Sequence, residues 1–262
     1  MSETTSLAPA IAGMPRGGPN ASWLDRRLQT DALEYTDRYD IPDEVKQNVI
    51  SALDWVGTRA GEHEKNARTA LALVADIPNP RILELGAGHG KLSAAILKLH
   101  PTARVTISDL DPTSVGNIAA SELGDHRRVS TQVVDAAAID ADDDSYDLVV
   151  FAQAFHHLPP AIAYRAIAEA TRVGKRFLVI DLKRWSAPGL LLTPLAMAPL
   201  AVVPRLRPLM HDGFISGLRA YSPSAFAALG KAADPQMCVE FLPSRSRFGA
   251  PTVVVFSRAA QS

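Results

Sequence analysis

Residues 82–90 read Ile-Leu-Glu-Leu-Gly-Ala-Gly-His-Gly: a short apolar strand with an acid in it, then a glycine at every second position. This run predicts a strand that turns sharply into a loop lying flat against a bulky ligand, where any Cβ would collide. Such a loop has to open a helix, and Leu92, Ala95, Ile96 and Leu99 recur at helical spacing directly after it. The dinucleotide fingerprint needs its third glycine one place later, where Lys91 stands. The pattern is therefore G-x-G-x-G, with Glu84 ahead of Gly86, Gly88 and Gly90.

In that form the segment resembles the first motif of the class I S-adenosylmethionine-dependent methyltransferases. The chain beyond it supplies acids at the ends of further strands. Residues 103–108 predict a second strand ending in Asp109, about twenty residues past the last glycine, placed to accept hydrogen bonds from two ribose hydroxyls. A carboxylate there also disfavours a phosphorylated ribose. Asp111 before Pro112 predicts a helix cap. A third strand over residues 129–134 runs into Asp135-Ala136, a fourth follows Asp147, and a fifth ends at Asp181. Each acid alone reads equally well as a cap or a solvated loop end. Together, at alternating strand ends, they mark the edge at which open α/β sheets bind ligands. The resemblance implies that Asp135 takes the adenine amino group and the Ala136 amide a ring nitrogen. It implies further cofactor contacts at Glu84, Ala87 and Leu110, with Gln153 flanking the far side. S-adenosyl-L-methionine is the cofactor it implies.

Alternating strands and helices predict an α/β fold, and the resemblance implies a Rossmann-like sheet of seven mostly parallel strands with flanking helices, the last strand antiparallel beside the fifth. Residues 238–242 and 252–257 would supply the closing pair. Residues 1–21 lack periodicity and predict an unstructured tail. Residues 22–78 predict a helical cap, with one apolar stripe of Val45, Val49, Leu53 and Val56 and another of Ala67, Ala70, Leu71 and Val74. Residues 79–262 would form the cofactor-binding domain, with 183–232 as an inserted lid. The 27 Lys and Arg balance 28 Asp and Glu, which gives no electrostatic grip on nucleic acid. The lone Cys238 excludes an internal disulfide and predicts a buried, inert thiol. The N-terminus shows no secretory pattern, so a cytoplasmic protein is expected; homodimerisation is left open.

Residues 187–204 contain no charge, yet Pro188, Pro194, Pro199 and Pro204 argue against a membrane span. Two readings stand: a greasy lid over an apolar acceptor, or a packing or oligomer surface. A basic rim of Lys183, Arg184, Arg205 and Arg207 would also suit peripheral membrane contact. A hydroxyl acceptor calls for a base, and His156, His157 and His211 are the candidates, although each also reads as a capping or packing histidine. Residues 153–160 resemble the His-His-Leu segment after the fourth motif of small-molecule methyltransferases. Tyr35 and Trp55 are candidates to face the acceptor. Ala152-Gln153-Ala154-Phe155 stands where amino and amide methylation needs Asn-Pro-Pro-Tyr. No metal ligand set is expected, since His and Cys lack zinc spacing. The resemblance thus implies methyl transfer to an oxygen, less readily a carbon, of a phenolic, polyketide-like or lipid-like small molecule. The rivals are a nicotinamide-dependent oxidoreductase and a non-catalytic cofactor-binding partner protein.

Overall fold

Short apolar strands alternating with helical segments must return to one sheet edge through crossover connections, which makes the strands parallel. The computed structural model describes residues 10–38, 40–197, 207–243 and 250–259. Its sheet contains β1 (Arg81–Leu85), β2 (Arg104–Asp109), β3 (Val129–Val133), β4 (Leu148–Ala152), β5 (Phe177–Asp181), β6 (Cys238–Leu242) and β7 (Thr252–Ser257). The order is β3-β2-β1-β4-β5-β7-β6, with β7 antiparallel to both neighbours and the other pairs parallel. This is the expected seven-stranded, mostly parallel arrangement.

Side chains alternate across the central strands. Leu83, Leu85, Val149, Phe151, Phe177 and Val179 pack on one face with Phe155, Tyr221, Phe226 and Phe256. Ile82, Val150, Leu178 and Ile180 pack on the other with Ala67, Ala70, Leu92 and Ile96. The helices are α1 (Trp23–Arg27), α2 (Asp43–Arg59), α3 (Glu62–Ala72), α4 (Lys91–Leu99), α5 (Pro112–Ala119), α6 (Pro160–Val173), α7 (Ala187–Met197), α8 (Arg207–Arg219) and α9 (Pro223–Ala233). The chain winds outward from β1 to β3, then returns to lay β4 on the other side of β1. The crevice at the carboxyl ends of β1 and β4 is therefore the switch point where ligands of such sheets bind.

Three expectations need correction. Residues 10–21 are not a loose tail: Ile11 and Met14 are buried in the core, and Arg16 is 4% exposed. The Arg16 guanidinium lies 4.5 Å over the Tyr221 ring and donates to the carbonyls of His156 (2.8 Å) and Arg219 (3.0 Å). Helix α2 does not bury its whole apolar stripe. Val49 is buried but Leu53 and Val56 are exposed, because Gln47, Ile50 and Asp54 turn toward the glycine loop instead. Cys238 is exposed, since β6 is an edge strand. Residues 1–9 and the stretch 198–206 of the expected lid lie outside the described residues. No helix among the described residues is long and apolar enough to cross a membrane.

Candidate active site

The loop between β1 and α4 puts all three glycines in the left-handed region, with φ of 61° at Gly86, 57° at Gly88 and 70° at Gly90. An added Cβ would stand 2.6 Å from Phe151 Cε2 at Gly86 and 2.8 Å from Leu123 Cδ2 at Gly90. Glycine is thus required by conformation at each position and by space at two. Asp109, at the tip of β2, fastens the loop: Oδ2 accepts the Gly88 amide and Oδ1 the Asp111 amide, both at 2.9 Å. Ala87 N–H donates to Ser108 O at 2.9 Å, a second tie to β2. Burial pushes the Asp109 pKa above the usual range, against the pull of the Asp111 and Gly88 amides. Asp111 caps α5 through the Thr113 amide, as expected.

Glu84 lies behind the loop. It is 3% exposed, and its Oε2 accepts the Ser93 amide at 3.0 Å and the Ser93 hydroxyl, at the positive end of α4. Burial raises its pKa to about 7, with the Ser93 contacts opposing. Leu110 is exposed beside Asp109. Asp135, also exposed, follows β3 and accepts the Ala137 amide at 2.9 Å, closing a turn around the half-buried Ala136. Gln153, past the tip of β4, has φ of 57°, a costly conformation for a residue with a Cβ. Its amide bonds Ile180 O at 2.7 Å and its side chain reaches Glu62 at 3.4 Å. The sheet edge therefore gathers the glycine loop, Asp109, Asp135 and Gln153 along one line of strand tips.

Helix α2 straps this edge. His89 is gripped between Asp54 (Nδ1, 2.7 Å) and Gln47 (Nε2, 2.8 Å). Ile50 Cγ2 stands 3.4 Å from where a Cβ of Gly88 would lie, and Asp43 accepts from Thr113 of α5 at 3.2 Å. Trp55, 62% exposed, lines a cleft of about 440 Å³ with Arg59, His89 and Lys91.

A protein family described as a methyltransferase domain matches residues 82–176, from β1 to the threshold of β5. Residues 82–176 thus match a methyltransferase domain. The nicotinamide reading of the glycine loop falls with that match. Solved structures similar to this chain include the plantazolicin methyltransferase BpumL in complex with SAH, at 11% identity and a TM-score of 0.61 over 98% of each chain. A putative O-methyltransferase from Nostoc punctiforme is 19% identical, with a TM-score of 0.58 over 98% of this chain and 67% of that one. Magnesium protoporphyrin IX methyltransferase from Synechocystis, with bound SAH, is 19% identical, with a TM-score of 0.52 over 90% of this chain and 93% of that one. At these identities the likeness is one of fold. No curated protein matches the sequence.

Beyond β4 the chain builds a second constellation on a short 3-10 turn, Phe155–His157, anchored by the fully buried Phe155 ring. His156 Nδ1 lies 2.7 Å from Asp181 Oδ1, and its Nε2 lies 3.5 Å from Glu34 Oε1. His157 Nδ1 lies 2.7 Å from Asp37 Oδ1, and its Nε2 lies 3.8 Å from Glu34 Oε2. Arg219 binds the Asp37 carboxylate and the His157 carbonyl, and Ser216 Oγ donates to Glu34 at 2.9 Å. Burial alone would depress the His156 pKa, but Asp181 and Glu34 hold it up at about 9. Burial alone would raise Glu34, yet His156, His157 and Ser216 together keep it low. The sequence expectation that His156 could serve as a base thus meets a 3%-exposed imidazolium. His211 differs: its side chain is 44% exposed, with Nδ1 3.0 Å from Asp212 Oδ1 and its ring edge-on to Tyr35 at 5.2 Å. Asp212, whose pKa burial pushes up against the His211 contact, also accepts the Tyr35 amide at 2.8 Å.

Nothing in the local sequence of Glu34, Asp37 and Arg16 signals a role in the site; Arg219 stands in Arg219-Ala220-Tyr221, which resembles the C-terminal acceptor region of methyltransferases acting on phenolic or polyketide products. These residues meet only when the N-terminal segment docks against α8. The expected lack of a metal set rested on spacing along the chain. Folding brings Glu34, His156 and His157 together, with one potential ligand atom from each inside a 4.8 Å span.

Proposed function

We propose that the chain methylates an oxygen, less readily a carbon, of an apolar small molecule, and that the acceptor sits between the strand tips and the segment after β5. The observation carrying this reading is the apolar surface next to the cofactor edge. Leu182 and Trp185 follow β5, Leu191 and Leu192 lie on α7, all four are exposed, and residues 187–204 carry no charge. Exposed apolar groups clustered in this way mark a binding surface. Mitomycin 7-O-methyltransferase, 21% identical with a TM-score of 0.51 over 73% of this chain and 54% of that one, shares the fold and supports oxygen as the acceptor atom.

The residues fit the cofactor: three left-handed glycines make a cradle that side chains would fill, and Asp109 presents a carboxylate beside it. Gly86, Ala87, Gly88 and Gly90 would pass its methionine and ribose portions, Asp109 and Leu110 its ribose, and Asp135 and Ala136 its adenine, with Gln153 on the far side. Glu84 would act indirectly, by holding the N-terminus of α4. When bound, S-adenosylmethionine supplies a methyl group already activated on a sulfonium. The chain then has to hold the acceptor in line, exclude water and accept a proton. Of the three histidines, His211 suits proton acceptance, because Asp212 orients its Nδ1 and the ring is partly exposed. His156 and His157 would form the floor. On the lid reading residues 183–193 would cover this acceptor space, whereas Tyr221, Phe226 and Leu229 later in the segment pack into the core.

Labelled methyl transfer from S-adenosylmethionine to a panel of phenolic, polyketide-like and lipid-like acceptors tests the reading. Transfer to one of these is expected, with His211→Ala lowering kcat about 10²-fold or more while SAH affinity holds. Transfer confined to charged acceptors would overturn the apolar assignment. SAH binding without any transfer would favour a non-catalytic partner protein.

A further inference from the structure

We propose that Glu34, His156 and His157 form a binding site for one divalent transition-metal ion of the zinc class, separate from the glycine loop. Each imidazole has its Nδ1 against a carboxylate, Asp181 for His156 and Asp37 for His157, both at 2.7 Å. A carboxylate can only accept, so each Nδ1 carries a proton and each Nε2 is presented toward Glu34. This carboxylate–histidine pairing is the one that fixes ring orientation and raises basicity in histidine metal ligands.

Two atoms at the centre are orphaned: His156 Nε2 and Glu34 Oε1 are buried without a hydrogen-bond partner. They stand 3.5 Å apart, close to the separation of about 3.3 Å that two ligands at about 2.0–2.1 Å from a tetrahedral ion would have. His157, the least buried of the three, has its Nε2 3.8 Å from Glu34 Oε2 and needs only a small inward swing. Two imidazoles and one carboxylate are a donor set that zinc takes with a fourth position left for water or another ligand.

Charge points the same way. Glu34, Asp37, Asp181 and Asp212 share two guanidiniums: Arg219, which bonds Asp37 and lies 3.6 Å from Glu34 Oε1, and Arg16, which acts on Asp181. With both imidazoles neutral, as metal ligands are, the carboxylates outnumber the two guanidiniums, and a divalent cation would take the place of the proton that His156 otherwise holds. An ion there ties the N-terminal segment around Glu34 to the turn after β4. Sequence spacing could not show this, because Glu34 in the N-terminal segment is far along the chain from the two histidines after β4.

The test uses the full chain, treated with chelator and titrated with Co²⁺, with Zn²⁺ as competitor. One equivalent of Co²⁺ is expected to give a visible d–d band that Zn²⁺ abolishes. Glu34→Gln and His157→Ala should each weaken Co²⁺ binding at least 10-fold, and Asp181→Asn about 10- to 100-fold. His211→Ala, outside the set, should leave it unchanged. SAH affinity measured on the same samples reports an intact domain and separates this result from failure of the cofactor assignment. In the unmutated protein, Co²⁺ should shift the ring protons of two histidines, a readout that stands even if a variant fails to fold. Absence of stoichiometric binding, binding that survives both ligand variants, or unshifted histidine resonances would each overturn the proposal.

Discussion

Replacing Asp109 tests the cofactor edge most directly. Its two oxygens each accept one loop amide, from Gly88 and from Asp111, at 2.9 Å. A carboxylate oxygen can accept more than one such bond, so both retain a lone pair for a ligand hydroxyl. Asp109→Ala removes those acceptors together with the charge. A hydrogen bond to a charged group is worth about 1.5–3 kcal/mol net, which predicts SAH binding about 10- to 150-fold weaker. Asp109→Asn keeps one acceptor oxygen but turns an NH₂ group toward the other loop amide. It should fall between wild type and alanine in affinity, and lose about 1–3 kcal/mol of stability by leaving that amide unpaired. Calorimetric titration with SAH, alongside denaturant melts of all three proteins, reads both quantities. An alanine variant that is folded and binds SAH within about threefold of wild type would mean that the carboxylate serves the loop alone.

Stability should also depend on pH through His156. Its pKa in the fold is about 9 against an ordinary 6.5, so its contribution is complete below 6.5 and fades as pH rises through about 9. The gap amounts to about 3 kcal/mol. Urea melts in the absence of added metal at pH 6 and pH 9.5 should show wild type losing that much more than His156→Gln, and equal losses would refute the ion-pair account. Arg16→Ala should destabilise by about 2–3 kcal/mol, because the carbonyls of His156 and Arg219 lose a buried charged donor. A change below about 0.5 kcal/mol in the same melts would show that residues 10–21 do not dock in this way.

The glycine loop and the strands around it were legible because their signals are local. Residues 82–90 encode a strand, a turn only glycine can make and a helix start within a few positions. Asp109 and Asp111 stand where strand and cap geometry require an acid. Alternation and the handedness of crossovers make the strands parallel, while the antiparallel last strand beside the fifth was implied by the family resemblance alone. Helix α2 shows where such reading ends. Its sequence has both an apolar stripe and a polar row of Gln47 and Asp54, and periodicity cannot say which faces the domain. The demand of His89 for two partners turns the helix, leaving Leu53 and Val56 outside.

The individual strands, the glycine loop and the acids that follow the strands could be read from the chain, since each depends on neighbours a few residues away. The burial of Arg16, the support Glu84 gives the loop from behind, and the meeting of Glu34 with two histidines held by Asp37 and Asp181 emerge only in the folded chain. Those outcomes are long-range pairings of buried charge. A carboxylate at position 34 has no fixed meaning until folding takes away its water and supplies a partner from elsewhere in the chain.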